Sequence, residues 1–265
     1  MPNNPPVPIF DGTNYVIPSI TFPRVRLFYE AGIWAGDQDE DELPDEAGFK
    51  ALIQTKPGDY LMLNIEQWRT SIYLTQTDID NGDTDESVQA EVTASMNRLI
   101  TMVGWAKEAQ PDAQVGIYGQ VPVRDYFNAI RPEGNEFRAR WKLASDFLAP
   151  LAAAVDYVAP SIYTFDDDET DHVLYAQNMV AEAKQYGKPV YAMAWPRYHG
   201  SAIDPALAGE LIDGDYWRLQ LQTLADADVD AVIIWDVTLD DTTQDTPWVV
   251  ETRSFFTGMQ LCQQQ

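Results

Sequence analysis

Short apolar runs recur along the chain and are separated by longer stretches in which apolar residues return every three or four positions. The runs Arg24–Tyr29, Tyr60–Ile65, Val115–Tyr118, Val155–Tyr163, Pro189–Ala194 and Ala231–Trp235 read as strands. The stretches Glu42–Thr55, Glu86–Ala109, Glu136–Ala154, Asp171–Tyr186 and Pro205–Ala227 read as helices. In the last of these, Asp204 before Pro205 predicts an N-cap followed by proline at the first helical position. Strand–helix alternation predicts a parallel sheet. Ala231-Val232-Ile233-Ile234-Trp235 is apolar at every position, as a sheet covered on both faces requires. Val16–Thr21 or Ile33–Ala35 would add another strand. A complete barrel has eight strands. The expectation is therefore an α/β fold, a TIM-like (β/α) barrel that is irregular or has fewer than eight regular strands. A doubly wound open sheet is the alternative. No repeat or linker interrupts the pattern, so residues 1–265 are expected to form a single barrel domain.

One run departs from simple core filling. Tyr60-Leu61-Met62-Leu63-Asn64-Ile65-Glu66-Gln67-Trp68-Arg69 places a carboxylate directly after an apolar strand. An unpaired carboxylate is costly to bury. Residues two apart on a strand share a face, so Asn64 and Glu66 are neighbours at its C-terminal end. In a parallel barrel that end carries the chemistry. Other strands end similarly: Tyr118 with Gln120, Ser161 with Tyr163, Trp195, and Trp235 with Asp236. Aromatic rings and amides around a carboxylate suit a sugar, because ring faces stack on pyranose C–H groups and amides bind hydroxyls. Each residue also has a plainer reading. A strand-end aromatic often only packs, Asn64 could cap a loop, and Glu66 could form a structural ion pair with Arg24, Arg26 or Arg69.

Charge narrows the partners. Seventeen basic against 42 acidic residues give a formal charge of -25. That disfavours nucleic acid, which needs Lys and Arg to neutralise phosphates. The excess of acid reads first as a solvated surface. No apolar run reaches the ~20 residues of a membrane helix, so no membrane partner is expected. Cys262 is the single cysteine and forms no intrachain disulfide. The start, Met1-Pro2-Asn3-Asn4-Pro5-Pro6, does not read as a secretory leader. No metal or other cofactor is expected, since His172 and His199 lack ligand spacing. The Asp166-Asp167-Asp168-Glu169 run lacks the alternation of a calcium loop. Gly116-Ile117-Tyr118-Gly119 matches neither a phosphate loop nor a nucleophile elbow.

Asn64-Ile65-Glu66-Gln67-Trp68-Arg69 resembles the Asp-Trp-Glu-x-Trp-Arg signature of the hyaluronidases, the family 56 glycoside hydrolases. Val158-Ala159-Pro160-Ser161-Ile162-Tyr163, Pro189-Val190-Tyr191-Ala192-Met193-Ala194-Trp195 and Val232-Ile233-Ile234-Trp235 are similar, in order, to later strands of that family. The resemblance implies a distorted barrel with fewer than eight regular strands. It also implies Glu66 as proton donor, Tyr163 at the cleavage subsite and Trp235 lining it. An apolar strand end beside Trp68 would favour the protonated acid. The chain departs from the signature at Asn64, where the family has the Asp that assists a substrate N-acetyl group. A neutral amide does not supply that charge, so neither N-acetyl assistance nor hyaluronan carries over. The family's disulfides are missing as well.

A second carboxylate is then needed, and Asp236 is the first candidate, followed by Asp166 and Asp167. The resulting expectation is a glycoside hydrolase acting on a polysaccharide or oligosaccharide. Glu66, Asn64, Tyr163 and Asp236 would be catalytic. Trp235, Trp195, Tyr118, His199, Arg69 and Arg197 would bind substrate. The first alternative is a polysaccharide lyase acting by β-elimination beside a uronic acid. There Asn64 would neutralise the carboxylate, Tyr163 or His199 would move the proton, and Arg69 or Arg197 would lie nearby. The second alternative is a sugar-binding protein without catalysis. A polymer-degrading enzyme would work in an extracellular or periplasmic setting.

Overall fold

The computed structural model of the protein describes residues 7–15, 17, 21–34, 42–237 and 242–262, the last seven by their backbone alone. Strands and helices alternate: β1 (Ile9–Asp11), β2 (Val25–Tyr29), α1 (Glu30–Ile33), α2 (Glu46–Gln54), β3 (Tyr60–Asn64), α3 (Gln76–Asn81), α4 (Asp85–Ala109), β4 (Gln114–Tyr118), α5 (Tyr126–Ala129), α6 (Glu136–Phe147), α7 (Ala149–Ala154), β5 (Tyr157–Ala159), α8 (Glu169–Lys184), β6 (Tyr191–Ala194), α9 (Gly214–Asp226), β7 (Ala231–Ile234) and α10 (Pro247–Cys262). The seven strands form a four-stranded sheet, β2-β3-β4-β5, and a three-stranded sheet, β1-β7-β6. The pairs β3–β4, β4–β5, β1–β7 and β6–β7 are parallel.

The chain packs as two compact units. One comprises residues 26–159 and 185–188. Its core strand β3 has Leu61, Met62 and Leu63 fully buried, so both faces of the strand are covered. The long helix α4 starts at a capping box on Thr84 and turns Val88, Val92, Leu99, Val103 and Ala106 inward. The register pairs Leu63 with Ile117 and Tyr118 with Ala159, so the C-terminal ends of β3 and β4 emerge side by side. Gly116 faces the Tyr157 ring, and a Cβ there would lie 2.3 Å from a ring carbon. The ring is held in place because the Tyr157 hydroxyl donates to the Leu61 carbonyl at 2.7 Å.

The other unit comprises residues up to 25, 160–184 and 189 onward. There Asp11 pairs with Ile234, and Ile234 with Ala194. Trp195, Trp235 and Asp236 therefore leave the same sheet edge.

Each expected strand is present, although Val155–Tyr163 shortens to Tyr157–Ala159 because Pro160 has no N–H to extend the ladder. The helix expected over Glu136–Ala154 is two helices, parted at Leu148 ahead of Pro150. The helix expected from Pro205 begins instead at Gly214. Asp213 is its N-cap, accepting from the amides of Asp215 and Tyr216, while Asp204 caps a turn at Ala206. Ile33 ends helix α1, whereas Val16 and residues 18–20 and 35 lie outside the described residues.

Candidate active site

In the first unit, β3 ends at Asn64 and the chain turns at Glu66-Gln67. Glu30, just after β2, makes that turn: its Oε1 accepts from the Glu66 amide and, at 2.7 Å, from the Gln67 amide. Gln120, 6% exposed, closes the other side. Its Nε2 donates to the Ile65 carbonyl at 2.7 Å, and its Oε1 accepts from Thr70 at 2.6 Å. Gly119, at φ +64°, makes the turn that delivers Gln120, a conformation glycine adopts without strain.

The result is a pocket of about 230 Å³ lined by Glu66, Trp68, Thr70, Tyr118, Gln120 and Arg124, among others. Trp68 is buried edge-on against Trp34, with ring centroids 5.3 Å apart. Arg124 Nη1 lies 3.1 Å from Glu66 Oε2 and 3.3 Å from the Tyr118 hydroxyl, and its guanidinium sits over the Tyr118 ring. The Glu66 side chain is 40% exposed. The expectation of a carboxyl sheltered by apolar surroundings is thus corrected: Glu66 stands at an open pocket mouth with a guanidinium beside it. The partner is Arg124, not Arg24, Arg26 or Arg69. Asn64 is half-buried, and its Oδ1 is buried without a hydrogen-bond partner among the described residues.

Arg69 lines the pocket but its donors are engaged. It forms a two-pronged pair with Asp78 at 2.8 Å, and donates to the carbonyls of Ser71, at 2.9 Å, and Tyr73. Those bonds to the Arg69 guanidinium hold the Asp78 carboxyl well below the usual carboxylate range. Arg69 therefore shapes the loop, contrary to the expectation of a substrate-binding arginine.

In the second unit, Tyr163, Trp195, Trp235 and His199 form an aromatic cluster. Tyr163 stacks on Trp235 with centroids 5.6 Å apart and planes 17° apart, and Trp195 meets Trp235 at 4.8 Å. His199 lies 6.1 Å from Tyr163 and 4.6 Å from Phe165. Its Nδ1 accepts from the Ser201 amide at 3.0 Å, which leaves the ring proton to Nε2. Asp236 is fully buried beneath the cluster. Its Oδ1 accepts from Trp195 Nε1 and Arg197 Nε at 3.1 Å and from the Val237 amide at 2.9 Å. Its Oδ2 accepts from Tyr15 at 2.8 Å. Burial, then the bond to Asp236, pushes the Tyr15 phenol up. A carboxylate so enclosed positions its neighbours and is not poised as a second catalytic carboxylate. Arg197, itself buried, is tied to Asp236 and to the Gly209 carbonyl, so it too is structural. Asp166 accepts from the amide of Asp167, and Asp167 is exposed.

No family model matches the sequence, and no curated protein matches it. Solved structures do match. The fold resembles that of bee venom hyaluronidase. The alignment has a TM-score of 0.65 and 13% identity, over 95% of this chain and 97% of the other. A structure of bee venom hyaluronidase in complex with a hyaluronic acid tetramer aligns at 0.63, also with 13% identity and over 96% of each chain. The fold class is thus α/β, an irregular TIM-like (β/α) barrel, with seven strands among the described residues.

Sequence reading missed Glu30 and Arg124. Nothing local marks either one, because their relation to Glu66 exists only once β2, β3 and β4 lie side by side. His172, in the first turns of α8, is 1% exposed and packs edge-on to Tyr175 and Tyr216. Burial lowers its pKa to about 3. Among the described residues no group of His, Cys, Asp and Glu could hold a metal ion, and no helix is long and apolar enough to cross a membrane.

Proposed function

We propose that the chain is a single-domain glycoside hydrolase that cleaves a polysaccharide or oligosaccharide, with Glu66 as general acid. The observation that carries this reading is the pocket itself. A carboxylate, an indole, a phenol and an amide converge where neighbouring parallel strands end, the place where (β/α) enzymes keep their chemistry. Likeness of fold to a hyaluronidase whose structure holds a hyaluronic acid tetramer supports a carbohydrate substrate. Glu30 fixes the main chain on which Glu66 rides, and Arg124 holds the acid in place before substrate enters. On parting from Arg124 the exposed carboxylate takes up a proton from solvent and passes it to the glycosidic oxygen as that bond breaks; water then adds at the sugar carbon and returns a proton to Glu66. Asn64 stands behind the pocket, its Oδ1 buried, and does not reach the substrate directly. In the second unit, the part-exposed rings of Trp195, Trp235 and His199 offer a separate surface for sugar stacking, while Tyr163, 3% exposed, is packed behind them rather than placed to act on substrate, and Asp236 and Arg197 fix their geometry. The proposed setting is extracellular or periplasmic, where polymers are met.

One observation favours a second reading, β-elimination beside a uronic acid. Arg124 and the Tyr118 hydroxyl lie 3.3 Å apart in the same pocket, a cation to neutralise a carboxylate next to a phenol able to move a proton. Scoring a panel of polysaccharides for both reducing ends and ultraviolet-absorbing unsaturated ends separates the two. Replacing Glu66→Gln is expected to abolish hydrolysis and keep sugar binding. Full turnover by that variant ends the hydrolase reading.

A further inference from the structure

A second cavity in the first unit, about 350 Å³, is lined by Ile72, Tyr73, Asp85, Gln89, Arg140 and Leu143. Its polar groups do not satisfy one another. The Tyr73 hydroxyl is buried with no hydrogen-bond partner among the described residues. Burial also pushes this phenol up, so it remains an O–H donor. The Arg140 guanidinium lies over the Tyr73 ring at 5.6 Å and makes no ion pair with Asp85. Asp85 and Gln89 are one helical turn apart on α4, so they share a face. Leu143, 61% exposed, and Ile72 add apolar surface.

The geometry points to this cavity as a second binding subsite for a neutral pyranose unit of a glycan chain. The exposed Asp85 carboxylate, Gln89 amide and Arg140 guanidinium together offer both acceptors and donors, with the Tyr73 ring as a wall. Sugar hydroxyls use both, whereas an anion would face Asp85 and a cation would face Arg140. The apolar Ile72 and Leu143 suit the C–H face of the ring. The loop joins this cavity to the one at Glu66: Trp68–Ser71 line the first, Ile72 and Tyr73 the second, and Arg69 ties the backbone of both parts together. A subsite here would let one polymer engage a surface beyond the reacting bond. The inference rests on the glycan-hydrolase reading for its ligand class, though not on Glu66 being the acid.

The test uses the full chain carrying Glu66→Gln, titrated by calorimetry with hexasaccharides of cellulose, xylan, mannan and galactan, and with hyaluronan hexasaccharide as the anionic counterpart. At least one neutral hexasaccharide is expected to bind. Gln89→Ala and Arg140→Ala, both at exposed positions, are each expected to weaken that binding by about tenfold, the usual effect of deleting one well-placed hydrogen-bonding group. Tyr73→Phe, which removes an unpaired buried hydroxyl and keeps the ring wall, is expected to leave binding unchanged and the free protein at least as stable. Binding of no neutral probe, unchanged affinity in the Gln89 and Arg140 variants, or Arg140-dependent binding of hyaluronan alone would overturn the subsite. Failure of the hydrolase reading shows separately, as turnover surviving in Glu66→Gln.

Discussion

Asp236→Ala removes at one stroke the acceptor of Arg197, Trp195, Tyr15 and the Val237 amide. The partner left behind decides the magnitude. The Arg197 side chain is 8% exposed, and the lost carboxylate was fully buried. Stranding one charge of a buried pair costs about 3–5 kcal/mol, because the remaining ion is neither solvated nor paired. Asp236→Asn keeps an acceptor for Arg197 and Trp195 and drops only the charge, so a loss of about 1.5–3 kcal/mol is expected. Urea unfolding followed by tryptophan fluorescence measures both, since Trp195 itself reports on the cluster. With a slope of about 3 kcal/mol per molar, the alanine variant should unfold at about 1–2 M less urea. An alanine variant within about 1 kcal/mol of the parent would refute the view that this carboxylate holds the aromatic cluster. Activity provides a second discriminator. If Asp236 only positions its neighbours, the Asn variant retains turnover within about tenfold, whereas a nucleophile would lose on the order of ten-thousandfold.

Glu30→Ala should lower turnover through a misplaced Glu66, and Glu30→Gln, whose amide oxygen still accepts from the two main-chain amides, should recover most of it; equal loss in both would point to the charge of Glu30 instead. Gly116→Ala drives a methyl into the Tyr157 ring and should destabilise the protein by at least about 1–3 kcal/mol in urea unfolding. His172 has its folded pKa lowered to about 3 from 6.5, so the unfolded chain takes up the proton first as pH falls. Stability linked to it is fully present above about pH 6.5 and declines below, by up to about 1.4 kcal/mol per pH unit until about pH 3. The pH dependence of the urea midpoint should therefore flatten in His172→Phe; an unchanged slope would place the acid sensitivity elsewhere.

Much of the scaffold is legible in the chain because doubly covered strands must be apolar throughout, as Leu61-Met62-Leu63 and Ala231–Ile234 are. The strand Ile9–Asp11 is too short to show a period, and α10 follows an acidic stretch that reads as loop. Asp204-Pro205 imitates a helix start, yet Gly209, at φ +82°, and the better cap at Asp213 move the start onward. At the site, Glu66, Tyr118 and Gln120 are findable because they stand at or just past strand ends. The engagement of Arg69, Arg197 and Asp236 is not, since a formal charge says nothing about which backbone carbonyls and indoles will surround it. Glu30 acts on the amides of Glu66 and Gln67 from 36 and 37 residues away, a distance over which sequence carries no pattern.

Arg69 grips the loop by the carbonyl oxygens of Ser71 and Tyr73, groups every amino acid possesses. Side chains at Thr70, Ser71, Ile72 and Tyr73 can therefore be exchanged over evolutionary time without loosening that anchor. A family of descendants could vary the lining of both cavities at these four positions and keep one unchanging arginine as the hinge pin of the design.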